Sequence, residues 1–209
     1  QDWGANIAVA TRNGIKPYIG KPSLREMIGD STYRITALAF FQNNTAGAEA
    51  LVALVKEAAE VADDDVVLDG YAGGGLFAVA LAEQAARVIA VESEPTAVRD
   101  LRANLKHADA DVVVVRSRFE EAVSRIDEPW DIAIVDPPRT GLGEDGVEVA
   151  IAPDPRRLVY VSCDPASLAR DARLLSQRGY RLDWAAPVDM FPQTFHVETV
   201  ARFTLAGEE

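Results

Sequence analysis

Cysteine and histidine are scarce in this chain, which has one cysteine and two histidines among its 209 residues. A single cysteine cannot form an intrachain disulfide, and the Cys/His cluster that a cysteine-ligated zinc or iron-sulfur site needs is missing. The sequence therefore predicts no metal site. It also favours a reducing, cytoplasmic setting.

Long hydrophobic runs are missing as well. The longest apolar stretches, such as 112–115 and 132–135, fall far short of the roughly 20 residues that a membrane-spanning helix needs. With 48% hydrophobic residues, the chain can nevertheless bury a full core. We therefore expect a globular monomer with no membrane partner.

Positive charge is in short supply, since 33 acidic residues outweigh 21 basic ones and leave a net charge of -12. Tight binding to a polyanion needs clustered Lys and Arg that neutralise phosphates. Residues 1–44 hold five basic and three acidic residues, so the remainder carries a net charge of -14. Any basic surface for nucleic acid is therefore expected in the N-terminal part, or is missing.

From residue 66 onward, short runs rich in Val, Ile and Leu alternate with longer amphipathic stretches. This alternation is typical of β-α-β units around a parallel sheet. The predicted strands are 66–69, 87–92, 111–116, 130–136, 157–162, 182–188 and 197–205. The predicted helices are 45–60, 75–84, 94–107, 118–125 and 165–178. We expect an α/β fold, doubly wound around a mostly parallel seven-stranded sheet.

Residues 1–44 follow a different pattern. Strand-like pieces at 23–27 and 32–37 flank Gly29-Asp30, a pair typical of a hairpin turn. We interpret 1–44 as the remnant of a preceding β-rich element and 45–209 as the main domain. The first residues show neither an initiator methionine nor a signal-peptide pattern, so we expect a fragment or a processed chain.

A glycine-rich segment, Asp69-Gly70-Tyr71-Ala72-Gly73-Gly74-Gly75, follows a predicted strand and opens a helix. Its glycines allow a tight turn and a close backbone approach to a ligand. Glu92 ends the next strand, where a carboxylate can accept hydrogen bonds from both ribose hydroxyls. A nucleotide-like cofactor is predicted here. The spacing also fits a dinucleotide site, and a plain strand-to-helix turn is a further alternative.

A second motif, Asp136-Pro137-Pro138-Arg139, follows the apolar strand at 132–135. Two prolines remove amide donors and hold the loop extended, which leaves the Asp136 carboxylate free at the sheet's carboxyl edge. Ligands of open α/β sheets bind at that edge. The alternative is a rigid turn with a capping aspartate.

The only thiol lies in Ser162-Cys163-Asp164-Pro165, between a predicted strand and a predicted helix. Asp164 suits the N-cap, and Pro165 suits the first helical position. Unpaired amides and the helix dipole would then stabilise a Cys163 thiolate, whereas the Asp164 charge would oppose it. A lone cysteine can equally be a small buried apolar residue.

The C-terminal part interrupts a strand-like segment with polar residues, from Asp189 to Thr199. Within it, Glu198 is a candidate general base. The alternative is an ordinary exposed strand residue. His196 could be a surface residue or a residue that supports the site. Neither histidine has a partner at metal-ligand spacing.

Taken together, these motifs resemble those of the RNA 5-methyluridine methyltransferase family over residues 24–205. The matching pieces are Phe40-Phe41-Gln42-Asn43-Asn44, the D-x-Y-x-G-x-G-x-F pattern at 69–77, Glu92, the Asp136 motif with Gly141, Ser162-Cys163-x-Pro165 with Arg170-Asp171, and the polar stretch at 189–198. Asp164 stands where the family usually has asparagine, and Ala72 where many members have cysteine. Some members have an N-terminal oligonucleotide-binding barrel or an iron-sulfur cluster, and we expect neither within these 209 residues.

The resemblance implies a class I, Rossmann-like fold and S-adenosylmethionine as cofactor. It implies a tRNA or 23S rRNA substrate, with Cys163 as the nucleophile and Glu198 as the base. The implied cofactor-binding residues are Gln42, Tyr71, Gly73, Gly75, Glu92 and Asp136. Gln42 comes from the resemblance alone.

Three other functions stay open on the sequence. An amino-group methyltransferase would need an aromatic residue where Arg139 stands. A nicotinamide-dependent oxidoreductase could use the glycine loop and Glu92. A noncatalytic domain that binds S-adenosylmethionine is favoured by the acidic composition.

Overall fold

The computed structural model describes residues 7–11, 14–108, 110–194 and 196–207, with the backbone alone for 7–11, 14–19 and 107. Its strands are β1 (Ile7–Thr11), β2 (Gly14–Ile19), β3 (Ser23–Ile28), β4 (Ser31–Thr36), β5 (Val66–Gly70), β6 (Arg87–Glu92), β7 (Val112–Arg116), β8 (Ile132–Val135), β9 (Arg157–Ser162), β10 (Tyr180–Val188) and β11 (Glu198–Leu205). Its α-helices are α1 (Thr45–Ala59), α2 (Leu76–Leu81), α3 (Pro95–Asn104), α4 (Gly143–Ala150) and α5 (Pro165–Gln177). No helix in the described ranges is both long and apolar enough to cross a membrane.

A seven-stranded sheet forms the centre of the molecule, in the order β10-β11-β9-β8-β5-β6-β7. The pairs among β5 to β9 are parallel, whereas β11 is antiparallel to both β9 and β10. Its central strands are continuous apolar runs because helices cover both faces. The predicted doubly wound, mostly parallel α/β fold is confirmed.

One helix prediction was wrong, and one helix was not predicted. Residues 118–125 form two 3-10 turns, Phe119–Glu121 and Val123–Arg125, instead of a helix. Buried Phe119 fixes this segment by packing on Tyr71, with ring centroids 4.8 Å apart. The helix α4 was not predicted, because Gly143 and Gly146 lower its helix propensity. Packing of its buried face against the sheet and α5 supplies the stability that propensity does not.

The predicted hairpin around Gly29-Asp30 is present as β3 and β4. It packs on α2 and α3 through buried Tyr33, whose hydroxyl donates to the Leu76 carbonyl at 3.1 Å. The Thr36 backbone N–H and hydroxyl donate to the two carboxylate oxygens of Asp100, at 2.6 and 2.7 Å. A separate two-stranded sheet, β1-β2, precedes the hairpin. These strands are the short N-terminal β appendage expected from the sequence.

Candidate active site

The predicted site residues gather at one edge of the central sheet. The glycine-rich loop follows β5, and Glu92 ends β6. Asp136 follows β8, and Cys163 follows β9. Glu198 begins β11, and its antiparallel direction brings the start of this strand to the same edge. In an open α/β sheet, this carboxyl edge is where ligands bind.

Backbone conformation explains the glycine spacing of the loop after β5. Tyr71, Gly73 and Gly75 all have a positive φ, of 62°, 54° and 92°. At Gly75 a Cβ atom would lie 2.5 Å from Cδ1 of Leu101, so glycine is required by space as well as by conformation. A non-glycine residue such as Tyr71 in this conformation costs free energy, and such strain clusters at ligand sites.

Glu92 closes the glycine loop. Its Oε2 accepts the Gly73 N–H at 2.8 Å, and its Oε1 accepts the N–H groups of Ser93 and Glu94 at 2.6 and 2.7 Å. In a dinucleotide site the loop amides would face a pyrophosphate. Here the Gly73 amide already has an anionic partner, which argues against the dinucleotide alternative.

A cavity of about 260 Å³ lies beside Glu92. Tyr71 and Phe119 supply aromatic surface, and Pro138 comes from the motif after β8. The Ser117 hydroxyl in its wall is buried and has no hydrogen-bond partner among the described residues. Aromatic surface, an unused hydroxyl and a carboxylate suit a nucleoside, because an unsatisfied buried polar group is costly until a ligand pairs with it.

Gln42 lies on the loop between the hairpin and α1. Its side chain is 7% exposed, and Oε1 is buried without a hydrogen-bond partner in the described part of the chain. The neighbouring Phe41 packs on Tyr33, with centroids 5.5 Å apart, and lies close to Gly74. The loop thus extends to the glycine-rich segment. A ligand there would satisfy the orphaned amide oxygen.

Three carboxyl groups make the site acidic. Burial raises the pKa of Asp69 to about 7, with a smaller contribution from the charge of Glu92. Burial, and then the charges of Glu198 and Asp69, raises the pKa of Asp136 to about 8. Burial also raises the pKa of Glu198, against the opposing charge of Arg139. Such a site favours protons or a cationic ligand.

Cys163 lies directly before α5, as predicted. Asp164 is the N-cap and accepts the Ser167 N–H at 2.7 Å, and Pro165 is the first helical residue. The pKa of the thiol is nevertheless raised, first by burial and then by the charge of Glu198, with Asp136 adding to it. The expected gain from the helix N-terminus is therefore outweighed. The carboxylates that raise the pKa most come from neighbouring strands.

Arg139 provides positive charge beside these groups. It is the cation that opposes the raised pKa of Cys163 and that of Glu198. Its Nη2 lies 2.8 Å from Nδ1 of His196, which lies in the loop ahead of β11. Across the described residues, no group of three or more His, Cys, Asp or Glu side chains is placed to hold a metal ion.

Comparison with known proteins identifies the family. The family model for tRNA (uracil-5-)-methyltransferase matches residues 21–204. An uncharacterized RNA methyltransferase of Lactococcus lactis is 39% identical over 189 residues, which cover 88% of this chain and 41% of that protein. A second one, from Oceanobacillus iheyensis, is 38% identical over 208 residues, covering 98% of this chain and 45% of the relative.

Solved structures agree with this assignment. The Pyrococcus abyssi tRNA (uracil-54, C5)-methyltransferase in complex with S-adenosyl-L-homocysteine has a TM-score of 0.80 and 35% identity, covering 91% of this chain and 46% of that chain. The M. jannaschii tRNA m1G37 methyltransferase, at 15% identity and a TM-score of 0.68, covers 93% of this chain and 61% of that chain and shares the fold alone. The chain spans less than half the length of the relatives from L. lactis, O. iheyensis and P. abyssi. The predicted resemblance is confirmed: this chain belongs to the tRNA (uracil-5-)-methyltransferase family.

Proposed function

We propose that this chain transfers a methyl group from S-adenosylmethionine to carbon 5 of a uridine in RNA. Cys163 is the nucleophile and Glu198 the general base. One observation carries the proposal: Ser162 and Thr199 are register partners in the antiparallel pair of β9 and β11. The residues beside them, Cys163 and Glu198, therefore lie together at the edge where Asp136 also lies.

The residues of the site fit the cofactor. Gln42 contributes the amide oxygen that has no hydrogen-bond partner among the described residues. Tyr71 contributes an aromatic wall of the cavity, and Glu92 contributes a carboxylate at the end of β6. Gly73 and Gly75 allow a close backbone approach, and Asp136 adds a carboxyl group that keeps its proton, with a pKa of about 8, until a cation lies beside it. A molecule with a sulfonium and an ammonium group suits so acidic a site, whereas an anionic dinucleotide does not.

The first chemical step is assigned to Cys163. Carbon 5 of uracil is a poor nucleophile until carbon 6 is attacked, so the thiolate adds to carbon 6 and makes carbon 5 enolate-like. When bound, S-adenosylmethionine supplies the methyl group that carbon 5 takes. Arg139 favours the thiolate electrostatically, against the charges of Glu198 and Asp136.

Glu198 completes the reaction. It removes the proton from carbon 5, and the electron pair released expels the Cys163 thiolate from carbon 6. Burial raises the pKa of Glu198, which makes its carboxylate a stronger base than an exposed one. The product is 5-methyluridine, and the enzyme regains its free thiol.

The substrate must present an accessible base. Because both faces of a stacked uracil are covered, we expect a looped or flipped uridine in a tRNA or 23S rRNA. With a net charge of -12, the chain alone has little nonspecific affinity for phosphates. We therefore expect much of the RNA affinity to come from sequence that the longer relatives have in addition. The division into 1–44 and 45–209 belongs to this proposal, as do a monomeric state and a cytoplasmic location.

The test is methyl transfer itself. The protein is incubated with S-adenosylmethionine labelled in the methyl group and a high concentration of uridine-containing RNA, which is then digested to nucleosides. Label in 5-methyluridine, absent with Cys163→Ala, supports the proposal. Label in another nucleoside, or calorimetric binding of S-adenosylhomocysteine without transfer to any RNA, contradicts it. The last outcome would favour the noncatalytic alternative. The acidic composition favours that alternative, so the experiment must distinguish it from methyl transfer.

A further inference from the structure

Asp171 is a completely buried carboxylate that the proposed mechanism does not use. It lies in the middle of α5, the helix that begins directly after Cys163. Its Oδ2 accepts the Leu142 N–H at 2.7 Å and the Tyr160 hydroxyl at 2.8 Å. Its Oδ1 accepts the Gly143 N–H at 3.2 Å. A buried charge is tolerated only with such partners, so Asp171 anchors the backbone of residues 142–143.

Arg170 completes the anchor from the same helix. Its Nε and Nη2 donate to Oδ1 of Asp171 at 2.9 and 2.8 Å, and Nη2 also donates to the Thr140 carbonyl at 2.7 Å. Gly141 has φ +75°, and a Cβ atom there would lie 2.6 Å from Nη2 of Arg170 and closer still to Asp171. Glycine therefore lets the loop backbone press directly against these two side chains.

The anchored loop is the one that carries Arg139. The Gly141 N–H donates to the Pro138 carbonyl at 2.8 Å, which makes residues 138–141 a tight turn. Arg139 lies within this turn, between the anchored residues and Asp136. The loop after β8 and the helix after β9 are thus joined by hydrogen bonds at residues 140, 142 and 143.

We propose that Arg170 and Asp171 are positioning residues that hold the 138–143 loop so that Arg139 faces the thiol of Cys163. The role rests on the proposed function of Cys163 as a nucleophile. Arg139 is an exposed, flexible side chain, and its effect on the thiol depends on where the backbone places it. Without the hydrogen bonds of Arg170 and Asp171 to the loop, the positive charge of Arg139 would oppose the charges of Glu198 and Asp136 at the thiol less strongly.

The charged groups around Cys163 come from several elements. Glu198 belongs to β11, Asp136 follows β8, and Arg139 belongs to the anchored loop. Asp164 caps α5, and His196 contacts Arg139. Loosening the loop moves Arg139, whereas Glu198 is held within β11 and the Asp136 N–H donates to the Gly70 carbonyl at 3.3 Å. The net change at the thiol is therefore toward more negative charge, which raises its pKa.

The experiment measures the rate of Cys163 alkylation by iodoacetamide against pH, in the absence of RNA and cofactor. Cys163 is the single cysteine, so the rate reports its thiolate alone. Asp171→Asn keeps the side-chain volume but replaces an acceptor oxygen with an amide that cannot accept the same donors. We expect its alkylation midpoint to rise by about half a pH unit or more, which is about threefold in rate below the midpoint.

Two further variants make the result specific. Arg139→Gln should raise the midpoint as well, and the double variant should show no more than the Arg139→Gln shift, because both changes remove one interaction. Glu60→Gln is the matched control, since it breaks ion pairs with Arg157 and Arg202 far from the loop. It should lower the melting temperature and leave the midpoint unchanged.

An Asp171→Asn protein that is less stable but keeps the wild-type midpoint overturns the proposal, as do additive shifts in the double variant. If Asp171→Asn does not fold, Arg170→Gln replaces it, because the Arg170 side chain is half exposed and Asp171 keeps its donors from Leu142, Gly143 and Tyr160. Its midpoint must also rise, and an unchanged midpoint overturns the proposal. Since alkylation needs no methyl transfer, the outcome is independent of whether the proposed reaction occurs.

Discussion

Asp136 and Glu198 repel each other in the candidate active site. After burial, the charge of Glu198 is the largest cause of the raised pKa of Asp136, which is about 8. The two side chains come from the loop after β8 and the start of β11, strands that are separated in the sheet by β9. An acidic cluster assembled from separate strands has consequences for stability, for thiol reactivity and for ligand binding.

The first prediction concerns stability against pH. The pKa values of Asp69, about 7, and Asp136, about 8, are raised above their unfolded value of 3.8. The folded chain then binds more protons than the unfolded chain between about pH 4 and 8, so stability falls as the pH rises through this window. We expect the melting temperature without ligand to fall by roughly 5 °C or more from pH 5.5 to 8.5.

Circular dichroism melting curves check this, with Asp136→Asn as the comparison. The asparagine variant cannot ionise at this position and should lose part of the slope. Carboxyl groups with lowered pKa values, such as those of Asp65 and Asp183, titrate below the window and do not contribute to it. A wild-type melting temperature that stays constant or rises across these pH values would contradict the acidic cluster.

The second prediction concerns the charge of the ligand. Glu198 and Asp136 raise the pKa of Cys163, and a sulfonium beside them would offset their charge. S-adenosylmethionine should therefore lower the midpoint of Cys163 alkylation, by about half a pH unit or more. S-adenosylhomocysteine, which lacks only the transferable methyl group and has a neutral sulfur, should lower it much less. Equal effects of the two ligands at saturation would show that charge is not the cause.

The third prediction tests the orphaned amide. Gln42→Ala removes a buried oxygen that has no hydrogen-bond partner among the described residues, so the ligand-free protein should be as stable as wild type or slightly more stable. Affinity for S-adenosylhomocysteine, measured by calorimetry, should fall about tenfold, the worth of one buried hydrogen bond. The matched control is Asn43→Ala, an exposed neighbour that should leave the affinity unchanged. Wild-type affinity in the Gln42 variant would remove this residue from the cofactor site.

The fourth prediction compares two glycines of the same loop. Gly75→Ala adds a Cβ atom 2.5 Å from Cδ1 of Leu101 at φ +92°, and should cost about 2–4 kcal/mol of unfolding free energy. Gly73→Ala has φ +54° but nothing within 4 Å of the new atom, so about 1 kcal/mol is expected. Urea denaturation measures both. Similar costs would mean that the contact with Leu101 does not constrain the loop.

The sequence predicted the fold from its hydrophobic pattern, because a parallel sheet needs apolar strands separated by amphipathic helices. The pattern failed where packing decides the conformation. Residues 118–125 have the spacing of a helix, yet packing of Phe119 against Tyr71 fixes two 3-10 turns. In α4 the local glycines argue against a helix, and its packing partners are distant in the chain.

Some residues of the candidate site could be picked out from the sequence, and others could not. Glu92 and Cys163 were recognisable because each lies directly at the end of a strand. Gln42 came from the resemblance alone, and in the structure its amide oxygen is buried without a hydrogen-bond partner among the described residues. The raised pKa of Cys163 was not predictable from its own segment, because Glu198 and Asp136 come from other strands. For the same reason the hydrogen bonds of Asp171 to residues 142–143 and Tyr160 are visible only in the folded structure.

Covalent trapping tests the central claim most directly. RNA containing 5-fluorouridine blocks the last step, because Glu198 cannot remove fluorine from carbon 5 as it would a proton. With S-adenosylmethionine present, mass spectrometry of the digested protein should find a methylated RNA adduct on the peptide that contains Cys163. The adduct should be absent from Cys163→Ala and should form with unmodified RNA in Glu198→Gln. An adduct that persists in Cys163→Ala, or that maps to another residue, would contradict the account.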